Sequence, residues 1–332
     1  MKVEIKSFTE EMIPQAGELL ALRHKRNRTS LPLLPARFED TAAAVKAVED
    51  LWRKKFKNGY AAFHDGKMAA YLLGDFTVQS WGRCGYVYLP GYAIAEGENA
   101  DIIQDLYALL GDEWNKEGCF NHYAYTSAAD VDMLDAWFLL GFGKERVDAM
   151  MDLRALKIPE HKIPQDIEIR PAGKGDNDHL ASMATLISEH YAKAPRWHPL
   201  VPEELPELRE GWAELADDEA WHVWLALDGS ETLSTIGYKA YEEEADNLLA
   251  PRLCAHMSVA ATKESARGRG ISTALTWLSL EETHKSGNDY CHTDWQTANL
   301  LASRFWPRFG FKPVAYRLAR TINPMIAWAK GY

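Results

Sequence analysis

Apolar residues at Ile271, Ala274, Leu275 and Leu278 recur at i, i+3, i+4 and i+7, which predicts a helix with one buried face. Upstream, Leu253, Ala255, Met257 and Val259 alternate with Cys254, His256 and Ser258, the period-two pattern of a strand with two unlike faces. A second strand-like run covers Asp289 to Trp295. The expected order is therefore strand, helix, strand across this part of the chain.

The pattern occurs twice. Val3-Glu4-Ile5-Lys6 matches Ile167-Glu168-Ile169-Arg170 at a shift of 164, and the hairpin dipeptides Asp65-Gly66 and Asp228-Gly229 match at 163. A shift of 169 then holds without gaps. It pairs Ile102, Leu106 and Leu109 with Ile271, Leu275 and Leu278, Gly118 with Gly287, and Asp130 with Asn299. It also pairs Trp137 with Trp306, and Gly141-Phe142 with Gly310-Phe311. An internal repeat in a chain of 332 residues, longer than a single core usually grows, predicts two copies of one fold. The boundary is expected at 157/158, giving domains 1–157 and 158–332, because Pro159 and Pro164 interrupt periodicity between Leu156 and Gln165.

Candidate chemistry concentrates at Arg267-Gly268-Arg269-Gly270-Ile271-Ser272. Two glycines let the backbone turn tightly at the start of a helix, whose first turn presents unpaired N–H groups. That is an anion site, and the arginines suit a ligand with several phosphates. Neither the dinucleotide fingerprint nor the nucleotide-hydrolase loop occurs in a matching context. The spacing is instead Arg-x-x-Gly-x-small, followed by Asn299-x-x-Ala302-x-x-Phe305-Trp306-x-Arg308-x-Gly310-Phe311.

From about Ile167 onward the chain thereby resembles the GNAT superfamily of N-acetyltransferases. The family signature is Arg/Gln-x-x-Gly-x-Gly/Ala and then Asn-x-x-Ala-x-x-hydrophobic-Tyr-x-Lys-x-Gly-Phe. The two-copy plan is similar to that of mycothiol synthase, with one copy degenerate; its substrate is not carried over. The resemblance implies an α/β (α+β) fold of two tandem acetyltransferase-like domains, each with a mixed, mostly antiparallel central sheet flanked by helices. It implies acetyl-CoA or CoA as cofactor, held by Arg267, Gly268, Arg269, Gly270, Ile271 and Ser272. The strand end at Ala260, Ala261 and Thr262 should pair with the pantetheine amides, and a bulge there would aim an N–H at the thioester oxygen. Asn299 should contact the cofactor, although it suits a helix N-cap equally. Ser272 departs from the signature but is small, and its hydroxyl offers a further phosphate contact.

In the first copy, Glu98-Asn99-Ala100-Asp101 stands opposite Arg267-Gly268-Arg269-Gly270, with Glu96 just before. A carboxylate about 4 Å from a phosphate costs about 4 kcal/mol in a surface-like dielectric. The first copy is expected to bind no acyl-CoA.

Transfer of an acyl group to an amine needs a neutral nucleophile, and an alkylamine of pKa about 10.4 is mostly protonated at pH 7. The base is sought on the strand before the loop, where His256 sits between Cys254 and Ser258, and second at His292, which shares a face with Asp294. A strand histidine is also a common core residue. Trp306 occupies the usual tyrosine position, and indole donates no useful proton. It is expected either to pack on the pantetheine arm or, like Trp137, to serve the core, leaving Tyr316 and Tyr290 as replacement acids. Pro307 should end the second-motif helix early. The prolines and aromatics of 188–219, among them His190, Tyr191, Arg196, Trp197, His198 and Trp212, suggest a loop-rich acceptor wall.

Composition narrows the rest. Hydrophobic content of 47% and charged content of 26% are those of an ordinary soluble globular protein. A net charge of -11 argues against non-specific nucleic-acid binding and tilts toward cationic substrates. The acidic runs Glu242-Glu243-Glu244 and Asp217-Asp218-Glu219 read as solvated surface. The start, MKVEIKSFTEEM, has no apolar signal core and no run approaches a membrane span, so a cytoplasmic address and no membrane partner are expected. Cys84, Cys119, Cys254 and Cys291 lie far apart, which indicates reduced, buried thiols and no metal site. The expected activity is an acyl-CoA-dependent N-acetyltransferase acting on a small-molecule amine; the alternatives are a non-catalytic acyl-CoA sensor and a protein lysine acetyltransferase. The oligomeric state is open.

Overall fold

The computed structural model describes residues 3–79, 82–160 and 164–330; residues 161–163 of the expected linker lie outside the described residues. The chain forms β1 (Glu4–Ser7), α1 (Ile13–Ser30), α2 (Thr41–Trp52), β2 (Asn58–His64), β3 (Lys67–Gln79), β4 (Gly82–Val87) and β5 (Tyr92–Ile94). There follow α3 (Ile102–Lys116), β6 (Asn121–Ser127), α4 (Val131–Leu139) and β7 (Gly143–Asp152). The second half runs β8 (Glu168–Pro171), α5 (Asn177–Ala181), α6 (Leu186–Ala192), α7 (Leu205–Glu214), β9 (His222–Asp228) and β10 (Glu231–Ala240). It closes with β11 (Cys254–Thr262), α8 (Ile271–Lys285), β12 (Tyr290–Gln296), α9 (Leu300–Phe305), β13 (Lys312–Thr321) and α10 (Met325–Lys330).

Two compact units result, and neither follows a single cut in the chain. The first comprises Met1–Asp148, Glu243–Pro251 and Pro313–Tyr332; the second comprises Ala149–Glu242 and Arg252–Lys312. In the first unit the strand order is β1-β2-β3-β4-β6-β13, with β5 on β3. The pair β4–β6 is parallel and the others are antiparallel. In the second unit the order is β12-β11-β10-β9-β8, parallel only at β11–β12. Each unit is thus the expected mixed, mostly antiparallel sheet with helices packed on it.

The last strand of each repeat changes hands. Shifting β7 by 169 gives β13, yet β13 completes the first unit by pairing with β6 from Ala315↔Ser127 to Thr321↔Asn121. Leu318 of β13 is fully buried in the first unit's core with Ile103, Leu106, Trp114 and Trp137. The end of β7, from Ala149 onward, belongs to the second unit, where Leu153 N donates to Asp289 O at 2.8 Å.

Local sequence explains the shared frame. Asp65 (φ 48°) and Gly66 (φ 79°) form the two-residue turn of β2–β3, the left-handed pair a tight hairpin prefers. The matching turn of β9–β10 is Gly229-Ser230, one residue later than Asp228-Gly229. In α3 the buried residues include Ile102, Leu106 and Leu110, whereas Leu109 is 40% exposed. In α8 they include Ile271, Ala274 and Leu275, with Leu278 only half-buried. The stripe therefore drifts off the simple i+7 position, as 3.6 residues per turn require. Trp114 packs so closely on its sheet that a Cβ at Gly85 would lie 2.4 Å from the indole. At the repeat-related positions the second unit has Thr283 and Cys254, a smaller helix residue opposite a larger strand residue, which conserves volume.

Candidate functional site

The loop before α8 has the geometry its glycines predict. Gly268 (φ 74°) and Gly270 (φ 79°) are left-handed, and Gly270 is the N-cap of α8 with no side-chain hydrogen bond closing the helix end. A Cβ at either glycine would meet nothing within 4 Å, so the backbone angle and not crowding by the protein demands glycine. Arg267, Gly268, Gly270, Ile271 and Ser272 line one cleft of about 890 Å³. Arg269 does not line it; its guanidinium lies 3.9 Å from the Asp228 carboxylate. Both arginines were expected at the cofactor; of the two, the cleft wall includes Arg267 and not Arg269. The Ser272 hydroxyl sits 2.5 Å from Thr262 Oγ1 and 3.5 Å from Ser234 Oγ, so it is tied into a hydroxyl cluster of the scaffold.

A fork in the sheet forms the inner end of the cleft. β11 and β12 are in parallel register from Cys254↔Tyr290 to Met257↔Thr293, and the pairing stops there although both strands continue. The Thr293 hydroxyl donates to Met257 O at 3.1 Å at the point of divergence. On the other edge, β11 slips against β10 between Val259 and Met257, opposite Gly237 and Tyr238. Ser258 is the extra residue of this bulge and has no partner in either register. The bulge lies just upstream of the expected stretch, Ala260, Ala261 and Thr262; those three remain paired with β10 while lining the cleft. Their other edge carries no strand among the described residues.

Beside the fork, His256 Nε2 lies 3.5 Å from Asp294 Oδ1. Tyr241 stacks on His292 with centroids 4.3 Å apart, and His256 meets the His292 ring edge-on at 4.9 Å. Of this group only Asp294 lines the cleft. His256 stands behind it, and His292 is 1% exposed. The structure therefore brings His256, His292 and Asp294 together but presents the carboxylate, not an imidazole, to the cleft. Burial pushes the Cys254 thiol up to about 12 and raises Cys291 well above its ordinary value, so neither supplies a thiolate nucleophile at neutral pH.

Residues 185–311 match the family model of the acetyltransferase (GNAT) family. The second half of the chain carries a GNAT acetyltransferase domain. The whole chain shares its fold with a GCN5-related N-acetyltransferase from Sphaerobacter thermophilus, at 16% identity and TM-score 0.59, covering 97% of this chain and 96% of that one. It is similar to a tandem GNAT protein from the clavulanic acid biosynthesis pathway, at 13% identity and TM-score 0.53 over 97% and 99% of the two chains. A GCN5-related glucosamine N-acetyltransferase region of a fungal multi-domain β-N-acetylglucosaminidase matches at 14% identity and TM-score 0.58, over 96% of this chain and 38% of that one. No curated protein matches the sequence.

Within the GNAT domain the second motif packs as a cap and a core. Asn299 is the N-cap of α9: its Oδ1 accepts from Ala302 N at 3.2 Å and lies 3.0 Å from His190 Nε2. α9 ends at Phe305, and Trp306–Phe309 with Pro307 continue as a 3-10 turn to Gly310 (φ 102°), the early stop expected of proline. Trp306 is 7% exposed, edge-on to Phe305 and Phe311 at 4.8 and 5.9 Å, while still forming part of the cleft wall. It is a core residue that backs the cleft.

Neither replacement acid reaches the site. Tyr316 belongs to β13 in the first unit, with Lys144 Nζ 3.8 Å over its ring. The Tyr290 hydroxyl accepts from Arg154 Nη2 at 2.8 Å and does not line the cleft. The phenol that does is Tyr191, from α6. Of the supposed loop-rich insert, α6 and α7 are helical. His190 and Tyr191 face the cleft, Trp212 is buried against Met183, Ala184 and Ala261, and Arg196, Trp197 and His198 lie outside the cleft wall. Sequence reading missed Arg304 and Arg308 as cleft residues; their signal was a pair of arginines four apart in the second motif, read only as spacing. Both acidic runs are exposed, and all four cysteines are buried and outside any disulfide, as expected. No helix among the described residues is long and apolar enough to cross a membrane.

Proposed function

We propose that the second unit binds acetyl-CoA, or another short acyl-CoA, and transfers the acyl group to a primary amine of a small molecule. The observation that carries this reading is one cleft joining two features: a left-handed glycine cradle at the uncapped start of a 15-residue helix, and a forked pair of parallel strands. At about 890 Å³ the cleft is at the upper end of the roughly 300–1,000 Å³ typical of small-molecule and cofactor sites. The chain fits the cofactor in its charges as well: Arg267, Arg304 and Arg308 line the cleft, and none has a carboxylate within ion-pair distance among the described residues.

Bound acyl-CoA would supply an activated thioester. The first turn of α8 and Arg267 would hold its diphosphate, and the free edge of Ala260, Ala261 and Thr262 would align the pantetheine arm. Ser258, outside both strand registers, would offer its peptide N–H to the acyl oxygen. Asp294 would draw the ammonium form of the acceptor to the fork by charge and take up its proton, with His256 Nε2 behind it to share that proton. This turns the histidine expected as the base into the partner of a carboxylate base. His292, buried behind the same face, positions the pair through its ring contact with His256. The wall of Ile187, His190 and Tyr191 would meet the acceptor.

Incubation with acetyl-CoA and a panel of amines, followed by assay of released thiol, tests the reading. Acetyl-CoA at 100 times its Kd should add about 2.7 kcal/mol of stability in a thermal shift, and Arg267→Glu should remove the effect while Arg269→Glu weakens it less. Thiol release that tracks the amine supports transfer. Stabilisation without release across the panel would make the protein an acyl-CoA sensor, and no stabilisation would end the acyl-CoA reading altogether.

A further inference from the structure

The cleft is charged against the grain of the chain. The sequence holds 48 Asp and Glu against 37 Lys and Arg, yet the cleft wall includes three arginines, no lysine and a single carboxylate, Asp294, among the described residues. Arg267 belongs to the phosphate loop. Arg304 and Arg308 come from a separate element, the last turn of α9 and the 3-10 turn after it, four residues and about one helical turn apart. Both are exposed, and neither makes an ion pair among the described residues. Most other arginines here do find carboxylates, as Arg170 does with Asp176 at 2.7 Å and Arg154 with Asp152 at 2.8 Å.

The first unit shows that this charge is a property of the site and not of the fold. At a shift of 169, Arg267, Arg304 and Arg308 become Glu98, Asp135 and Leu139. Those three residues line the corresponding hollow of the first unit, which is about 240 Å³ and also carries Asp101 and Asp132. Three matched positions line a recess in both units, and the sign is reversed in two of them.

A diphosphate is already served by the loop, with peptide N–H groups and Arg267. Two further guanidiniums, each a planar fork that matches a phosphoryl group, exceed its needs. We propose that Arg304 and Arg308 recognise the third phosphoryl group of coenzyme A, the 3′-phosphate on its ribose, and that this domain thereby selects acyl-CoA over thioesters that lack it. The inference rests on the acyl-CoA reading of the same cleft and adds the basis of donor selection. In a protein of net charge -11, local arginines also offset the long-range repulsion of a polyanionic donor.

Calorimetric titration at low salt with acetyl-CoA and with acetyl-3′-dephospho-CoA tests it, in the full chain and in the double variant Arg304→Gln, Arg308→Gln. The native protein should bind acetyl-CoA about tenfold or more tighter than the dephospho form. The double variant should lose that preference by weakening on acetyl-CoA alone, with an unchanged melting temperature of the unliganded protein, since both side chains are exposed. Equal binding of the two donors by the native protein overturns the proposal. So does equal weakening on both donors in the variant, which would return these arginines to the diphosphate. Binding of neither donor by the native protein brings down the acyl-CoA reading itself, a result distinct from both.

Discussion

Both units contain a parallel strand pair with a helix crossing between its members, but the second unit opens where the first is closed. In the second, β11 continues past its last pairing with β12, with one bulged residue at Ser258. In the first, the matching stretch breaks at Leu89-Pro90-Gly91, a 3-10 turn that separates β4 from β5. The backbone groups freed there are taken by the protein itself. Arg23 of α1, 3% exposed, donates from Nη2 to Leu89 O at 2.7 Å and from Nη1 to Tyr92 O, and its guanidinium lies 4.0 Å over the Tyr92 ring. The glycine cradle has its counterpart in Glu98 to Asp101, where Asn99 Oδ1 caps Asp101 N at 3.1 Å and Glu98 holds His64 at 2.7 Å. The frame of the fold is kept at this break because an internal donor satisfies the carbonyls that the opened strand exposes.

The largest expected effect comes from removing that donor. Arg23→Met keeps an unbranched side chain of similar length but strands two buried carbonyl oxygens, each costing about 1–3 kcal/mol when unsatisfied. A loss of about 2–5 kcal/mol in urea unfolding of the full chain is expected, with no acetyl-CoA binding gained by the first unit, because Glu98 and Asp101 remain. A loss below about 1 kcal/mol would show that the carbonyls are hydrated and the closure is not Arg23's doing.

Acid should also distinguish the units. His24 and His122, 2% and 0% exposed, both lie in the first unit, and burial lowers each to about 4. His24 donates from Nε2 to Pro35 O at 2.8 Å. His122 donates from Nε2 to Cys119 O at 2.9 Å and accepts from the Tyr107 hydroxyl at 2.7 Å, so the neutral ring is fully matched. As pH falls below about 6.5 the unfolded chain takes up protons that the folded chain refuses until near pH 4. Stability is therefore intact above about pH 6.5 and falls across that window, by on the order of 3 kcal/mol per histidine at its lower end. Urea midpoints at about pH 7 and about pH 5 read this slope. His122→Gln should flatten it even if it lowers stability overall, and an unchanged slope would assign the acid sensitivity elsewhere.

How much of this was legible in the sequence depended on whether the information was local. The glycine cradle, the cap at Asn299, the stop at Pro307 and the repeat all follow from backbone angles and spacing that a few neighbouring residues set. The sequence points to a bulge slightly downstream of Ser258 because a strand pattern does not say where its neighbour stops pairing. Long-range partners were the blind spot. Nothing in α1 marks Arg23 as the plug for Leu89 and Tyr92, 66 and 69 residues away. Likewise, a 169-residue repeat cannot reveal that β13 pairs with β6 of the other copy, because both candidate edges have the same pattern. Arg269 read as a ligand residue from its spacing, and the nearby Asp228 carboxylate, 41 residues upstream, was not visible from the motif.

The smallest effect sharpens the comparison at one pair of positions, Asn299 and Asp130. Asn299→Ala removes the bond to Ala302 N and should cost about 1 kcal/mol, the usual value of an N-cap. Asn299→Asp, which installs the first unit's residue type, keeps an acceptor oxygen for the same N–H and should restore the stability to within about 0.5 kcal/mol. Ligand binding should behave differently. Asn299 lines the cleft, where Asp294 is the single carboxylate of the wall among the described residues, and a second carboxylate there should oppose a polyanionic donor. Stability recovered with acetyl-CoA affinity still reduced would separate the two roles of this residue. Native affinity in the Asn299→Asp variant would leave Asn299 a helix cap and nothing more, and would move the loss of the first unit's site wholly to its filled fork and acidic loop.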